Sequence, residues 1–402
     1  MRTWSFSSAG TLFFGRHAVR RHLAEACERL AAKRAFIVTD AVLVAAGVLA
    51  QTTESLTSAN VCFTTFERVT PEPPVELVRE CIAAARDCNP DVVIGLGGGS
   101  NMDTAKLVAM ILAHGGDPLD YTGDCRVPGP VRPLIGIPTT AGTGSEVSAA
   151  AVFTDTANHI KVSCLSPFLR PSFAIVDPLL TVSCPPKVTA DSGIDALTHA
   201  IEAFCAVDNN AFPLSSGERT VYQGKNPLAD AMAREAITLI GKYLRRAVQN
   251  GNDLEARDGM ALAATLGGLA FSNAGVALVH AMEYPVGGAV HVSHGAGNGL
   301  LLPYVMAFNK PAARATLAQL PALLGSTTRT DDEDAAATEA IHLVTKLRAD
   351  IGIPTRLRDI GVTEEMLPGF AAKAFAIKRL LRVNPRMPRS EEEILGIYQA
   401  AF

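Results

Sequence analysis

DVVIGLGGGSNMDTAK, residues 91–106, runs an apolar β-branched segment through three consecutive glycines straight into a helical one. Strand, tight turn and helix in that order form the repeating unit of a parallel, doubly wound sheet, which takes its ligands at the carboxyl edge of the strands. Consecutive glycines let the backbone approach a pyrophosphate closely, and free N–H groups at the helix N-terminus stabilise its charge. The spacing is not G-x-G-x-x-G, so the standard dinucleotide fingerprint does not apply. A tight turn with no ligand accounts for the same glycines.

The same grammar continues on both sides. AFIVTD (35–40), PLIGIPTT (133–140) and FAIVDP (173–178) are short apolar runs that stop at Asp, Thr or Pro, with amphipathic segments such as 75–88 and 102–114 between them. From about residue 11 to residue 177 the chain therefore reads as a doubly wound parallel sheet. The loop PTTAGTGSE (138–146) offers hydroxyls and small residues suited to an adenine or ribose pocket, and equally to a plain Thr/Gly turn. Asp40 ends a strand where a carboxylate accepts ribose hydroxyls and repels a 2′-phosphate, which favours NAD over NADP. Capping of the next helix is the alternative for Asp40.

After about residue 187 the strand signal stops and the chain is Ala/Leu-rich with 3.6-residue periodicity. Helices are expected over 190–206, 227–249, 253–271, 299–308, 311–324 and 331–351. The Pro pair in SCPPK (183–187) marks the boundary, giving an α/β domain over 1–187 and an all-α domain over 188–402, with the active site expected in the cleft between them.

Within the helical half, Asp195 and His199 lie four apart in SGIDALTHAIEAF, one turn apart on one helix face. His280 and His294 flank what reads as a Gly-rich turn in VHAMEYPVGGAVHVSHGAGNG (279–299), able to fold the second His back toward the first. One carboxylate and three imidazoles suit Fe(II), Zn(II), Co(II) or Ni(II), with a position left open for a substrate oxygen. Four unrelated polar residues in a helical core are the alternative.

The chain has 402 residues, 48% of them hydrophobic, and a formal net charge of −4. A mildly acidic chain with dispersed Lys and Arg is not built for nucleic acid. Eight Cys occur without a C-x-x-C pair and read as reduced thiols. The N-terminus carries no secretion-type apolar region, and the longest apolar stretch, 41–50, is too short for a bilayer. A cytoplasmic enzyme with no membrane or nucleic-acid partner is the expectation.

Taken in order, GGGSNMDTAK, PTTAGTGSE, the Asp195/His199 pair and HAMEYPVGG…HGAGNGLLLPYVMAFN resemble the iron-dependent (group III) alcohol dehydrogenases. The resemblance extends from FGRHAV (14–19) to IPTRLRDIGV (353–362) and NPR (384–386). It implies a Rossmann-like N-terminal half and a helical C-terminal half, the dehydroquinate synthase-like architecture, with hydride passing between nicotinamide and a carbonyl held on the metal. It assigns Asp195, His199, His280 and His294 to the metal, and Asp40, Gly98, Gly99, Ser100, Asp103, Thr139, Thr140, Thr143 and Ser145 to NAD. Val152, Lys161 and Leu180 fall at positions that also line the nucleotide. A homodimer or larger assembly is implied too.

Two positions depart from the family pattern. Tyr284 stands where a second His is common, near substrate and nicotinamide, so the proton route through Tyr284, a ribose hydroxyl or water is open. Glu72-Pro73 replaces Asn-Pro in a cofactor loop. Tyr284 and the segment 206–230 resemble the hydroxyacid–oxoacid transhydrogenase and 4-hydroxybutyrate dehydrogenase branch. That implies a small hydroxy-acid substrate, with Arg219 and Lys225, or Arg382 and Arg386, as counter-charges; solvated or salt-bridged surface is the alternative for these four. A general alcohol or diol dehydrogenase, a maleylacetate reductase-like enzyme and a catalytically silent NAD-binding module are the alternatives in function.

Overall fold

The computed structural model describes residues 2–158, 160–328 and 330–402. The chain divides into two compact units. One comprises Ser7–Cys184 with Arg219–Val221; the other holds residues 2–6, Pro185–Glu218 and Tyr222–Phe402.

The first unit is built on nine strands: β1 (Thr11–Phe14), β2 (Arg34–Val38), β3 (Cys62–Phe66), β4 (Val92–Gly97), β5 (Gly123–Asp124), β6 (Leu134–Pro138), β7 (Ala150–Asp155), β8 (Ile160–Leu165) and β9 (Phe173–Val176). Its helices are α1 (Ala18–Arg29), α2 (Ala41–Ala45), α3 (Val48–Ser58), α4 (Val75–Cys88) and α5 (Gly99–His114). Six strands form one sheet in the order β1-β9-β6-β4-β2-β3, every pair parallel. The sheet is covered on both faces, and side-chain alternation divides it. Phe36, Val38 and Val93 pack with α4 and α5; Ala35, Ile37, Val92 and Ile94 pack with α1 and α3. Two-sided burial is why these strands read as continuous apolar runs. The parallel doubly wound reading therefore holds.

A second, three-stranded sheet, β5-β8-β7, was not anticipated. The runs AAVFTD and IKVSCL are short, with two polar residues in six each, and β7 is buried on alternate residues only. It is antiparallel between β7 and β8, a hairpin added to the parallel sheet's α/β frame.

The second unit is helical: α6 (Pro186–Cys205), α7 (Pro227–Gln249), α8 (Leu254–Ala274), α9 (Leu278–Val290), α10 (His294–Leu317), α11 (Leu320–Leu323), α12 (Glu333–Asp350), α13 (Leu367–Ala376), α14 (Lys378–Leu381) and α15 (Glu391–Ala401). The Pro pair initiates α6, Pro185 as N-cap and Pro186 at the first helical position, where the missing N–H costs nothing. From Gly193 to Cys205 every residue of α6 is buried, making it the central helix. No single helix among the described residues is long and apolar enough to cross a membrane.

One expectation is corrected. The segment between His280 and His294 is not a Gly-rich turn but most of α9, with Pro285 inside it. The reversal is confined to 291–293, opened by His291 in the left-handed region at φ 54°. Burial of the α9 face overrides the weak propensity of Pro and Gly. The expected break between 299–308 and 311–324 is present as a kink inside α10, where Ala313, two residues after Pro311, leaves the helical region at φ −118° and ψ 19°; the first of the two helices begins earlier than expected, at His294.

Candidate metal centre and nucleotide loops

The helical unit brings the four expected residues together. α6 carries Asp195 and His199 on one face, α9 carries His280 in its first turn, and α10 opens with His294. Close helix approach makes this possible. A Cβ added at Gly295 would meet the Asp191 carbonyl oxygen at 2.0 Å, and one at Gly299 would meet Ile194 at 2.6 Å. HGAGNG is thus a packing surface that seats the start of α10 against α6.

Ligand atoms of Asp195, His280 and His294 lie within 4.8 Å of one another. His199 stands beside this group. Its Nδ1 is 3.9 Å from Asp195 Oδ2, and its ring stacks on Phe271 at 4.2 Å and on His280 at 4.8 Å between centroids. That Nδ1 is buried with no hydrogen-bond partner among the described residues.

Three further residues complete the centre and were missed in the sequence. Glu202, one turn beyond His199, faces His280 Nδ1 at 2.6 Å and accepts from the N–H groups of Ala277 and Val279 at 2.9 and 2.6 Å. One buried carboxylate therefore caps α9 and fixes the His280 tautomer, since a carboxylate accepts and Nδ1 must carry the proton. Glu283 does the same for His294 Nδ1. Both Nε2 atoms are thereby left as lone pairs facing Asp195. Asn298, one turn after His294, donates from Nδ2 to Asp195 Oδ1 at 2.8 Å. The readable signal was spacing: i+7 from Asp195, i+3 from His280 and i+4 from His294.

Electrostatics suit cation binding. Burial works against the charged Asp195, but the His199, His294 and His280 imidazoles outweigh it and hold the carboxyl below its usual range. Burial pushes the His199 imidazole down to about 4, with Asp195 opposing and the other two His assisting. Charged carboxylate and neutral imidazoles are the forms that ligate a metal. An orphaned buried imidazole nitrogen beside a converging Asp/His/His set fits a divalent ion with nitrogen and oxygen preference.

In the α/β unit the glycine turn and the Thr-rich loop face each other. A Cβ at Gly99 would meet Thr143 Cγ2 at 2.9 Å, whereas above Gly98 the nearest atom, Thr140 Oγ1, is 3.6 Å away. No side chain caps α5 from the Gly98 position. Asp103 is an internal clamp, accepting from Ser145 Oγ at 2.6 Å and Val152 N at 2.9 Å. It thereby joins α5, the 138–146 loop and β7 and fixes the loop geometry rather than opening to solvent. Ser100 Oγ accepts from Glu72 N at 3.2 Å, and Lys161 Nζ pairs with Glu72 Oε1 at 2.6 Å. Thr139 and Leu180 are buried, Leu180 within the α1/α3 side of the core.

Asp40 caps α2: Oδ1 accepts from Val42 N and Leu43 N at 2.9 and 3.0 Å, and Oδ2 from Asn101 Nδ2 at 2.7 Å. The capping reading of Asp40 is thus realised, while Asn101 ties it to the glycine helix. A carboxylate has about four acceptor positions, so one is left for a ribose hydroxyl. Tyr284 is half-buried, its ring centroid 6.1 Å from that of His294.

Three of the four candidate counter-charges are already engaged. Lys225 binds the Phe204 carbonyl at 3.3 Å and lies 3.4 Å from Asp230. Arg382 pairs with Glu218, and Arg386 with Glu393 at 3.0 Å. Arg219 is exposed and makes no ion pair among the described residues.

The chain as a whole is similar to known proteins. Residues 9–178 match the model of the iron-containing alcohol dehydrogenases, and residues 217–402 match that of the family's C-terminal region. Long-chain-alcohol dehydrogenase 1 of Geobacillus thermodenitrificans is 41% identical over 93% of this chain and 91% of its own. The mitochondrial hydroxyacid-oxoacid transhydrogenase of Xenopus tropicalis is 32% identical over 93% and 86%. A crystal structure of a 1,3-propanediol oxidoreductase superposes with a TM-score of 0.92 at 36% identity, covering 100% of both chains.

Proposed function

Because the chain belongs to the iron-containing alcohol dehydrogenase family, we propose that it is a metal-dependent oxidoreductase that moves a hydride between NAD(H) and a small uncharged alcohol or its aldehyde. The observation that carries this reading is the convergence of Asp195, His280 and His294, with His199 beside them and both imidazole tautomers set by buried glutamates. When bound, a divalent cation supplies Lewis acidity toward the substrate oxygen and NAD supplies the hydride acceptor.

Each residue has a separate task. Asp195 supplies the negative charge, while His199, His280 and His294 supply neutral nitrogen donors. Glu202 and Glu283 hold protons at the two Nδ1 atoms, so neither imidazole turns its N–H toward the cation. Gly98 and Gly99 admit the pyrophosphate, and Asp40 receives a ribose hydroxyl. Tyr284 stands next to His294 as the residue able to pass a proton from the substrate hydroxyl to solvent.

The preference for an uncharged substrate rests on the engaged cations. A hydroxy acid brings a carboxylate that needs a free guanidinium or ammonium, and Lys225, Arg382 and Arg386 are committed elsewhere. A hydroxy-acid substrate is the second reading, carried by the exposed Arg219, which makes no ion pair among the described residues. The test is NAD+ reduction, followed by absorbance, with metal-stripped protein reloaded with Fe(II) or Zn(II). Short alcohols, diols and 4-hydroxybutyrate form the substrate panel. Metal-dependent rates on alcohols or diols are expected; rates confined to the hydroxy acid would move the assignment to the second reading. No rate with any substrate and either metal would sink both.

A further inference from the structure

We propose that Glu72 tunes cofactor affinity by cancelling the charge of Lys161 beside the glycine turn, so that the pyrophosphate is held there without help from that lysine; this rests on the NAD reading above. Glu72 is where the chain departs from the Asn-Pro pattern, and the longer side chain has a definite partner. Its Oε1 lies 2.6 Å from Lys161 Nζ, with the lysine side chain buried and the carboxylate partly so. A partly buried pair at this distance leaves little net field for a neighbouring anion.

Backbone contacts put the pair at the nucleotide turn. Glu72 N donates to Ser100 Oγ at 3.2 Å, in the first turn of α5, and the Glu72 carbonyl accepts from Thr154 Oγ1 at 3.2 Å. Thr154 N donates to the Pro73 carbonyl at 2.9 Å, and Thr154 stands opposite Lys161 in the β7–β8 ladder. The loop thus bridges the start of α5 and the hairpin, and Lys161 reaches back across that bridge. Holding Glu72 there has a conformational cost. Its φ of 53° lies in the left-handed region, which Asn tolerates and Glu does not favour. Local backbone preference therefore argues for Asn, and contact with Lys161 argues for Glu. Lys106, deeper in the same unit, is likewise matched, its Nζ 3.6 Å from Asp103 Oδ1. With both lysines neutralised, the free N–H groups at the start of α5 are what a pyrophosphate meets.

The test is fluorescence titration with NADH on the full-length chain as wild type, Glu72→Gln, Glu72→Asn, Lys161→Met and the double variant Glu72→Gln/Lys161→Met. Freeing the ammonium is expected to tighten NADH binding about tenfold in both Glu72 variants, and salt at about 0.5 M should erase most of that gain. The thermal shift produced by NADH grows in the same two proteins. Lys161→Met leaves the carboxylate uncancelled and weakens binding by a similar factor. The double variant, with both charges gone, returns to within about twofold of wild type. Glu72→Asn suits the left-handed backbone and carries the test if Glu72→Gln does not fold. Unchanged or weaker NADH binding in both Glu72 variants overturns the proposal, because the pair is then only a brace for the loop. Absence of NADH binding by wild type would instead overturn the NAD reading itself.

Discussion

His280 Nδ1 lies 2.6 Å from the Glu202 carboxylate, which also receives the first N–H groups of α9. A single buried charge on α6 therefore sets both where α9 begins and which nitrogen of its histidine is free. The helix N-terminus in turn stabilises that charge without a cation.

Glu202→Gln is the direct test of this coupling. The amide still accepts from a backbone N–H, but its NH2 group competes with the Nδ1 proton, and the imidazole loses its fixed tautomer. Metal affinity is expected to fall about 10–100-fold. Chelator competition with Zn(II) measures it, alongside far-UV circular dichroism to show that α9 is intact. Full affinity in a folded variant would leave Glu202 as a helix cap only.

Much of this architecture was readable before any coordinates. The strands β2, β4, β6 and β9 announced themselves because burial on both faces makes them uniformly apolar. Asp195 and His199 were legible because helix periodicity puts i and i+4 on one face. What could not be read was the path from His280 to His294. Gly287, Gly288 and Pro285 argue locally for a turn, and only packing against neighbouring helices keeps them helical. Glu202, Glu283 and Asn298 escaped for a related reason. A buried glutamate looks like any helical glutamate until tertiary contact shows an imidazole opposite it. The hairpin β7–β8 was lost because its strands are short, interrupted by polar residues and, in β7, buried on alternate residues only.

Lys106 makes a pH prediction within the α/β unit. It is buried completely, and Nζ donates to Ser145 Oγ at 2.7 Å, Ser148 Oγ at 3.0 Å and the Ala150 carbonyl at 2.7 Å. Burial pulls the ammonium down to about 8, with Asp103 and Glu146 opposing and Arg170 adding to the fall. Between about 8 and the ordinary 10.5 the unfolded chain holds a proton that the folded chain lacks. Stability must then rise with pH across that window, because the burial penalty is full below it and relieved above it. Lys106→Met removes the group. From pH 7.5 to 9.5, the unfolding free energy of wild type is expected to gain on the variant by roughly 2 kcal/mol. Urea unfolding of both proteins at the two pH values measures it, and a constant difference would contradict the assignment.

Tyr284 is the candidate proton carrier, half-buried with its ring next to His294. If its hydroxyl carries the proton, Tyr284→Phe lowers kcat on the order of 100-fold, the usual contribution of a positioned acid or base. The pH–rate profile must lose a limb at the same time, and Tyr284→His must restore part of the rate with its limb near neutral pH. A Phe variant with the wild-type profile would hand the proton to water or to the cofactor ribose.

Gly97 and Gly98 separate folding from binding at the nucleotide loop. Gly97 has φ +145°, and a Cβ there would meet Asn101 Nδ2 at 1.8 Å. Gly97→Ala is therefore expected to destabilise the α/β unit by about 2–4 kcal/mol, through strain and the displaced Asn101–Asp40 contact. Gly98 differs in every respect that matters. Its φ is −76° and ψ −172°, an extended conformation open to any residue. A Cβ there meets nothing nearer than Thr140 at 3.6 Å, an ordinary contact. Gly98→Ala should thus leave the thermal midpoint of the cofactor-free protein within a degree or two. If the pyrophosphate lies against this turn, the added methyl group stands where it must approach, and NADH binding weakens at least tenfold. Fluorescence titration with NADH, set beside the two melting curves, separates the outcomes. An undiminished affinity in Gly98→Ala would place the cofactor elsewhere on the sheet edge and leave the glycine run as a turn required only by the fold.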